Sequence, residues 1–200
     1  MDLNLTCEFI MTYLSTEQLE KMGFKFLGEN VKISDKVSIY DPEKIEIGDH
    51  SRIDDFCILS GVITIGKYCH ITPYCLLAGG IPSILIEDFC TLAYGVKIFS
   101  QSDDYSGESM TNSLIPKKFK QEIKKQVTIK KQSIIGSNSV IFPGVTLENG
   151  SAIGAMSLVL KSTTPWGIYH GIPAKKVKNR SRNILTLEKQ FLKELNNDSI

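Results

Sequence analysis

Residues 129–159 read IKKQSIIGSNSVIFPGVTLENGSAIGAMSLV. An aliphatic residue returns at every sixth position, at Ile129, Ile135, Ile141, Leu147, Ile153 and Val159. The same spacing runs earlier through Ile47, Ile53, Leu59, Ile65, Ile71 and Leu77, and resumes after an offset at Ile86, Leu92 and Ile98. The next residue is often Gly, Asp, Glu or Ala, as at Gly48, Asp54, Gly66, Ala78, Glu87, Ala93, Gly136, Glu148 and Gly154. Four positions after the aliphatic stands a small or β-branched residue: Ser51, Cys57, Cys69, Cys75, Cys90, Val96, Ser133, Ser139, Val145, Ser151 or Ser157. Three coordinated columns of this length do not arise by chance, and an internal repeat takes precedence over any local reading.

Six is a multiple of the strand period of two, so the aliphatic column and the column four residues on face the same side. It matches no helical period near 3.6. Three such units close into a triangular coil, and stacked coils share one aliphatic core while each covers its neighbour's backbone hydrogen bonds. The later column points into a narrow interior and must be small. Asn138 and Asn149-Gly150 suit the corners, where the chain needs positive φ. The expected fold is all-β: a parallel β-helix over residues 31–180, preceded by an extension (1–30) and followed by residues 181–200.

In the extension, Ser15 and Gln18 form a capping-box pattern and Gly23 a stop, which predicts a helix over 15–22. At the other end, Ile184, Leu187, Phe191 and Leu195 share one face of an amphipathic helix. That helix is expected to cap the open end of the coil. Between Ile98 and Ile129 the repeat is interrupted by a loop of about 100–127. It holds the acidic-aromatic run Ser102-Asp103-Asp104-Tyr105-Ser106-Gly107-Glu108 and then a Lys-rich stretch from Lys117 to Lys125, expected to be solvated. Loops of this length in compact repeats are functional or disordered.

Composition bounds the partners. Lys and Arg number 23 against 22 Asp and Glu, a formal net charge of +1. That balance argues against nucleic acid. No long apolar window exists to span a membrane, and Met1-Asp2-Leu3 lacks the basic start of a secretory signal. Five Cys fit a disulfide framework poorly. Cys57, Cys69, Cys75 and Cys90 read as small buried hydrophobes in a reducing, cytoplasmic setting. His50, His70 and His170 lack the spacing of a zinc site, so no metal is expected.

The hexads resemble those of the hexapeptide-repeat acyltransferases, which fold as left-handed parallel β-helices. The resemblance covers residues 31–180, most of the chain. The stretches IIGSNSVIFPGV, IGAMSLV and GIPAKKV are similar to the cofactor half of the sugar acetyltransferases. The resemblance implies acetyl-CoA as cosubstrate, with Gly136, Ser137, Gly154, Ala155, Lys161, Lys175, Lys176 and Arg180 as its contacts. The glycines would leave room for the pantetheine arm and the basic residues would meet phosphate. It also implies a homotrimer with sites between subunits. In hydroxyl-acetylating relatives a His follows the GV of a coil; here Gly95-Val96 leads to Asp103 and no His.

A hydroxyl needs a base during attack on a thioester, whereas a deprotonated amine is already nucleophilic. The loop with GIPAKK resembles enzymes that N-acetylate nucleotide-linked amino sugars for O-antigen synthesis, of the dTDP-4-amino-4,6-dideoxyglucose N-acetyltransferase type. On that reading Asp103 or Asp104 holds the ammonium and takes its proton. His70 is a base, an orienting residue, or only a corner residue. Asp54, Asp55, Tyr105 and Glu108 are the candidate acceptor contacts. Two other functions stay open: a sugar or antibiotic O-acetyltransferase with His70 as obligatory base, and a non-catalytic β-helix scaffold.

Overall fold

A computed structural model describes residues 13–197. Every hexad aliphatic points inward: the column from Ile47 to Val159 is at most 3% exposed. Pairing between coils assembles three ladders. One runs Ile33–Ile53–Ile71–Leu92–Ile135–Ile153. A second runs Ile39–Leu59–Leu77–Ile98–Ile141–Val159. The third runs Leu27–Ile47–Ile65–Ile86–Ile129–Leu147. All these pairs are parallel and in register, so the chain is a parallel β-helix with a triangular section, consistent with the left-handed coil that the resemblance of its hexads implies. Each buried Ile or Leu contributes about 1.5–3 kcal/mol. Backbone groups bond from coil to coil, for example Arg52 N–H to the Cys69 carbonyl at 2.8 Å and Ile58 N–H to the Cys75 carbonyl at 2.9 Å.

Two irregularities in the spacing have visible causes. The offset before Ile86 lies in the long strand Leu76–Ile86, which turns a corner beside strand Ile58–Ile65 with a register shift near Gly61 and Gly80. A Cβ on Gly79 would lie 2.2 Å from the Val62 carbonyl oxygen, so only glycine lets these turns approach. The long interruption is a projection, not a break: Ile98 pairs directly with Ile141 and Ile86 with Ile129. Its base is a short antiparallel pair, Gln101–Ser102 with Ile123–Lys124.

Helix α1 (Thr16–Met22) carries the expected capping box and ends at Gly23 in the left-handed region. Its Leu19 is buried against the core. Helix α2 (Ile184–Asn197) departs from expectation. It lies along a corner of the coil, not across the open end: Phe191 meets the rings of Tyr68 and Phe89 edge-on, and Glu188 accepts from the Gln132 amide. The reason is that this corner is aromatic. His50, Tyr68 and Phe89 stack one above another, which gives the helix an apolar edge to dock on.

Candidate active site

The projection brings its acidic run back against the coil. Asp103 and Tyr105, with Gln101, Ser102, Phe99, Phe142 and Pro143, line a cavity of about 220 Å³. Phe99 and Phe142 follow Ile98 and Ile141, which pair across adjacent coils, so their side chains leave the prism at one level. Asp103 accepts from the Asn112 backbone N–H at 3.2 Å and sits 3.8 Å from the Lys120 ammonium. Oδ2 thus accepts a backbone N–H while Oδ1 faces the Lys120 ammonium, and the residue lines the cavity wall.

Asp104 is placed differently. Its oxygens accept from the Ser106 backbone at 2.9 Å, the Ser106 hydroxyl at 2.8 Å and the Ser109 hydroxyl at 3.0 Å. The Ser106 bonds hold its carboxyl below the usual range, which makes it a turn-closing residue and a poor proton acceptor. Tyr105 is 88% exposed at the cavity rim. Glu108 lines a separate cleft of the projection with Met110 and Lys118. Lys120 corrects the expectation of a solvated Lys run. Its side chain is 7% exposed, and its ammonium donates to the Asn112 carbonyl and to Glu122.

His70 stands on another face, in the outward column Lys32, Arg52, His70, Thr91. Its Nε2 lies 2.8 Å from Asp54 Oδ2, while Asp54 Oδ1 accepts from Arg52 Nε. A carboxylate can only accept, so Nε2 carries the proton and Nδ1 is left as the basic nitrogen. Asp54 is buried (5% exposed) and so supports the imidazole instead of facing an acceptor. Arg52, which sequence reasoning missed, lies 5.6 Å over the Tyr13 ring. Asp55 is tied to the Ser34 hydroxyl and to Lys36 Nζ at 3.0 Å, which lower its pKa. Within one chain His70 stands on a strand face of the coil and Asp103 in the projection, and the cavity beside Asp103 is not lined by His70.

The C-terminal coils offer a cationic surface. The strand Lys175–Asn179 is exposed along its length and pairs antiparallel with Gly167–His170. Lys175 and Lys176 are exposed and can meet phosphate; Lys176 Nζ donates to the Thr164 hydroxyl at 3.1 Å. Lys161 and Ala155 are exposed and Ser137 is half-buried. These residues fit the anionic end of a coenzyme A. Three expected contacts do not. Arg180 donates to the carbonyls of Gln132 (2.6 Å) and Gly150 (3.1 Å), so its guanidinium clips the chain end to the coil. Gly136 and Gly154 are small because of packing: an added Cβ would lie 2.4 Å from Ala155 N and 2.8 Å from His170 Cβ.

The missed cavity residues did leave a signal. The slot after the aliphatic usually holds a small or acidic residue, yet Phe99 and Phe142 fill it in paired hexads.

No protein-family model matches the chain. It is 41% identical over 184 residues to dTDP-4-amino-4,6-dideoxy-D-glucose acyltransferase of Escherichia coli, covering 90% of this chain and 95% of that protein. A serine-to-alanine variant of AntD, an N-acyltransferase from Bacillus cereus, was solved with dTDP-4-amino-4,6-dideoxyglucose and coenzyme A. It matches at 46% identity and a TM-score of 0.91 over 92% of this chain and 98% of its own. AntD has also been solved with dTDP and 3-hydroxybutyryl-CoA, with the same TM-score of 0.91, identity and coverage.

Proposed function

This chain belongs to the family of the dTDP-4-amino-4,6-dideoxyglucose acyltransferases, among the hexapeptide-repeat acyltransferases, and we propose that it N-acetylates that nucleotide sugar with acetyl-CoA. The observation that carries the reading is the Asp103 carboxylate set in an aromatic-lined cavity, which suits an ammonium on a deoxy sugar. An ammonium has no lone pair, so it must first lose a proton. Asp103 holds the cation and steers it. The neutral amine then attacks the thioester carbonyl, the C–N bond forms, the C–S bond breaks, and coenzyme A leaves as a thiol after taking up a proton.

The assembly completes the site. A single chain exposes Phe56, Ile58, Tyr74, Tyr94 and Met156 on the coils, and exposed apolar side chains of this kind suit a subunit contact. A cyclic homotrimer covers such a run and sets the projection of one chain against the His70 face of the next. There Nδ1 of His70, oriented by Asp54, serves as proton acceptor. Lys161, Lys175 and Lys176 receive the phosphates of acetyl-CoA. The described residues include no helix long and apolar enough to cross a membrane. The product suits surface-polysaccharide (O-antigen) synthesis from a cytoplasmic pool of nucleotide sugars.

Mass spectrometry of the purified protein with acetyl-CoA and dTDP-4-amino-4,6-dideoxyglucose tests this. The expected product is one acetyl group heavier, modified at nitrogen. No turnover of any amino-sugar nucleotide would overturn the reading. The His70–Asp54 pair favours one alternative, O-acetylation, which predicts turnover of hydroxyl acceptors only. Failure to bind acetyl-CoA in a calorimetric titration would leave the scaffold.

A further inference from the structure

The cavity beside Asp103 is two-sided. Gln101, Ser102 and Asp103 supply its polar groups from the base of the projection, while Phe99, Phe142 and Pro143 form an apolar wall from the coil. At about 220 Å³ it has room for a single six-membered ring, not for a whole nucleotide sugar. A hexose with every hydroxyl in place would press one of them against two phenyl rings and a proline, where it has no hydrogen-bond partner. A 4-amino-4,6-dideoxy sugar avoids this. Its amine leaves C4 and its methyl is borne on the adjacent C5, so one edge of the ring presents a cation and an apolar group side by side.

We propose that Phe99 and Phe142 are specificity-determining residues, which receive the methyl group of the deoxy sugar while Asp103 holds the neighbouring amine. The inference rests on the N-acetyltransferase reading above and adds how the acceptor is selected. The carboxylate argues for the sugar, and not the thymine, as occupant: it pairs more strongly with an ammonium than with a neutral ring N–H. An apolar pocket selects by roughly tenfold to two-hundredfold for each such group.

The test compares kcat/KM for dTDP-4-amino-4,6-dideoxyglucose and for its 6-hydroxy counterpart, dTDP-4-amino-4-deoxyglucose. A second arm keeps the deoxy sugar and replaces thymine by uracil. The native protein is expected to prefer the deoxy sugar at least tenfold. Phe142→Ser is expected to shrink that preference about tenfold with the KM for acetyl-CoA unchanged, whereas Phe142→Leu keeps it. Phe99→Ala supplies an independent variant should Phe142→Ser fold poorly. A sugar preference unaltered in both variants overturns the inference. So does a change confined to the thymine–uracil arm, which would put the base in the cavity. Native protein that acetylates neither amino sugar overturns the underlying reading instead.

Discussion

The coils on either side of the projection share one backbone repeat but differ in what fills it. In the first half the inner slot is mostly Cys (Cys57, Cys69, Cys75, Cys90), and in the second mostly Ser (Ser133, Ser139, Ser151, Ser157); all are buried. The corners differ more. Each turn needs a residue of positive φ, and the first half uses His50, Phe56, Tyr68, Tyr74 and Phe89 where the second uses Gln132, Asn138, Gly144, Gly150 and Met156. A side chain in that region costs about 1–2 kcal/mol. Stacked aromatic pairs return about 0.5–1.5 kcal/mol, and the rings do stack, at 4.8–5.2 Å between centroids. The first half therefore meets the cost of its corners by stacking from coil to coil, and it gains an apolar edge for α2. The second half lowers the cost with Gly and Asn, and its corners stay slim beside the exposed basic strand.

The difference is open to attack where two second-half coils approach at Gly136. Gly136→Val is expected to lower stability by about 3 kcal/mol, because the new side chain runs into Ala155 backbone that has nowhere to go. Ala93 holds the same corner position one coil earlier, and Ala93→Gly should cost about 1 kcal/mol or less. Urea melts of the two variants make the measurement; equal midpoints would mean the halves are packed alike. The inner slots give the next effect. The Ser139 hydroxyl donates to the Gly154 carbonyl at 2.9 Å and accepts from Ser157 N–H at 3.1 Å. Ser139→Ala strands both, at about 2 kcal/mol. Cys57→Ser keeps a donor facing the Thr72 carbonyl, now 3.1 Å from the thiol, and should cost about 1 kcal/mol or less.

The hexad columns made the fold readable because burial acts on every sixth residue alike. The helix over Thr16–Met22 was readable because its cap is local. The corner aromatics were not, since a Phe or Tyr reads as core until its φ is known. The docking of α2 depends on that same ladder. At the site, Asp103 and His70 stood out as polar departures from the repeat, but their surroundings come from other coils: Phe142 reaches Phe99 only through stacking, and Arg52 reaches Asp54 by a side-chain turn. Arg180, Gly136 and Gly154 show the converse limit. A small or basic residue in a cofactor-like stretch serves packing as readily as binding, and spacing does not say which side it faces. The thiols of Cys57 and Cys90 are pushed up by the neighbouring thiols of Cys75 and Cys69, which the same contacts hold lower; all four are buried in the core.

Kinetics extend the contrast from structure to function. Asp103→Asn and His70→Asn are each expected to lower turnover at least tenfold, about 1.4 kcal/mol in barrier, with thermal midpoints unmoved. Both belong to the acceptor side, so the KM for acetyl-CoA should stay the same. Replacing Lys175 and Lys176 together by Ala should do the reverse, raising the acetyl-CoA KM several-fold and leaving the acceptor KM alone. Steady-state rates with each substrate varied in turn decide this. Unchanged rates in both Asp103→Asn and His70→Asn would place the chemistry elsewhere on the molecule.

The smallest effect separates the projection from the coils it leaves. Lys124 and Lys120 donate to Glu122 at 2.6 and 2.9 Å and hold its carboxyl at about 2, against an ordinary 4.5. A pKa depressed in the folded state stabilises most where the carboxyl is ionised in both states. The contribution is therefore complete above about pH 4.5 and is lost as the pH falls toward 2. Over that window Lys120 keeps only the Asn112 carbonyl and the more distant Asp103. The antiparallel base of the projection, Gln101–Ser102 against Ile123–Lys124, should lose amide-exchange protection there. Amides between the coils close over an uncharged core and should hold. Glu122→Gln should bring the loosened projection to neutral pH and leave the melt of the coils nearly unshifted, since the pair lies in the projection and not between coils. Loss of protection in projection and coils together would mean that they open as one unit, and that the acidic run is rigidly part of the β-helix.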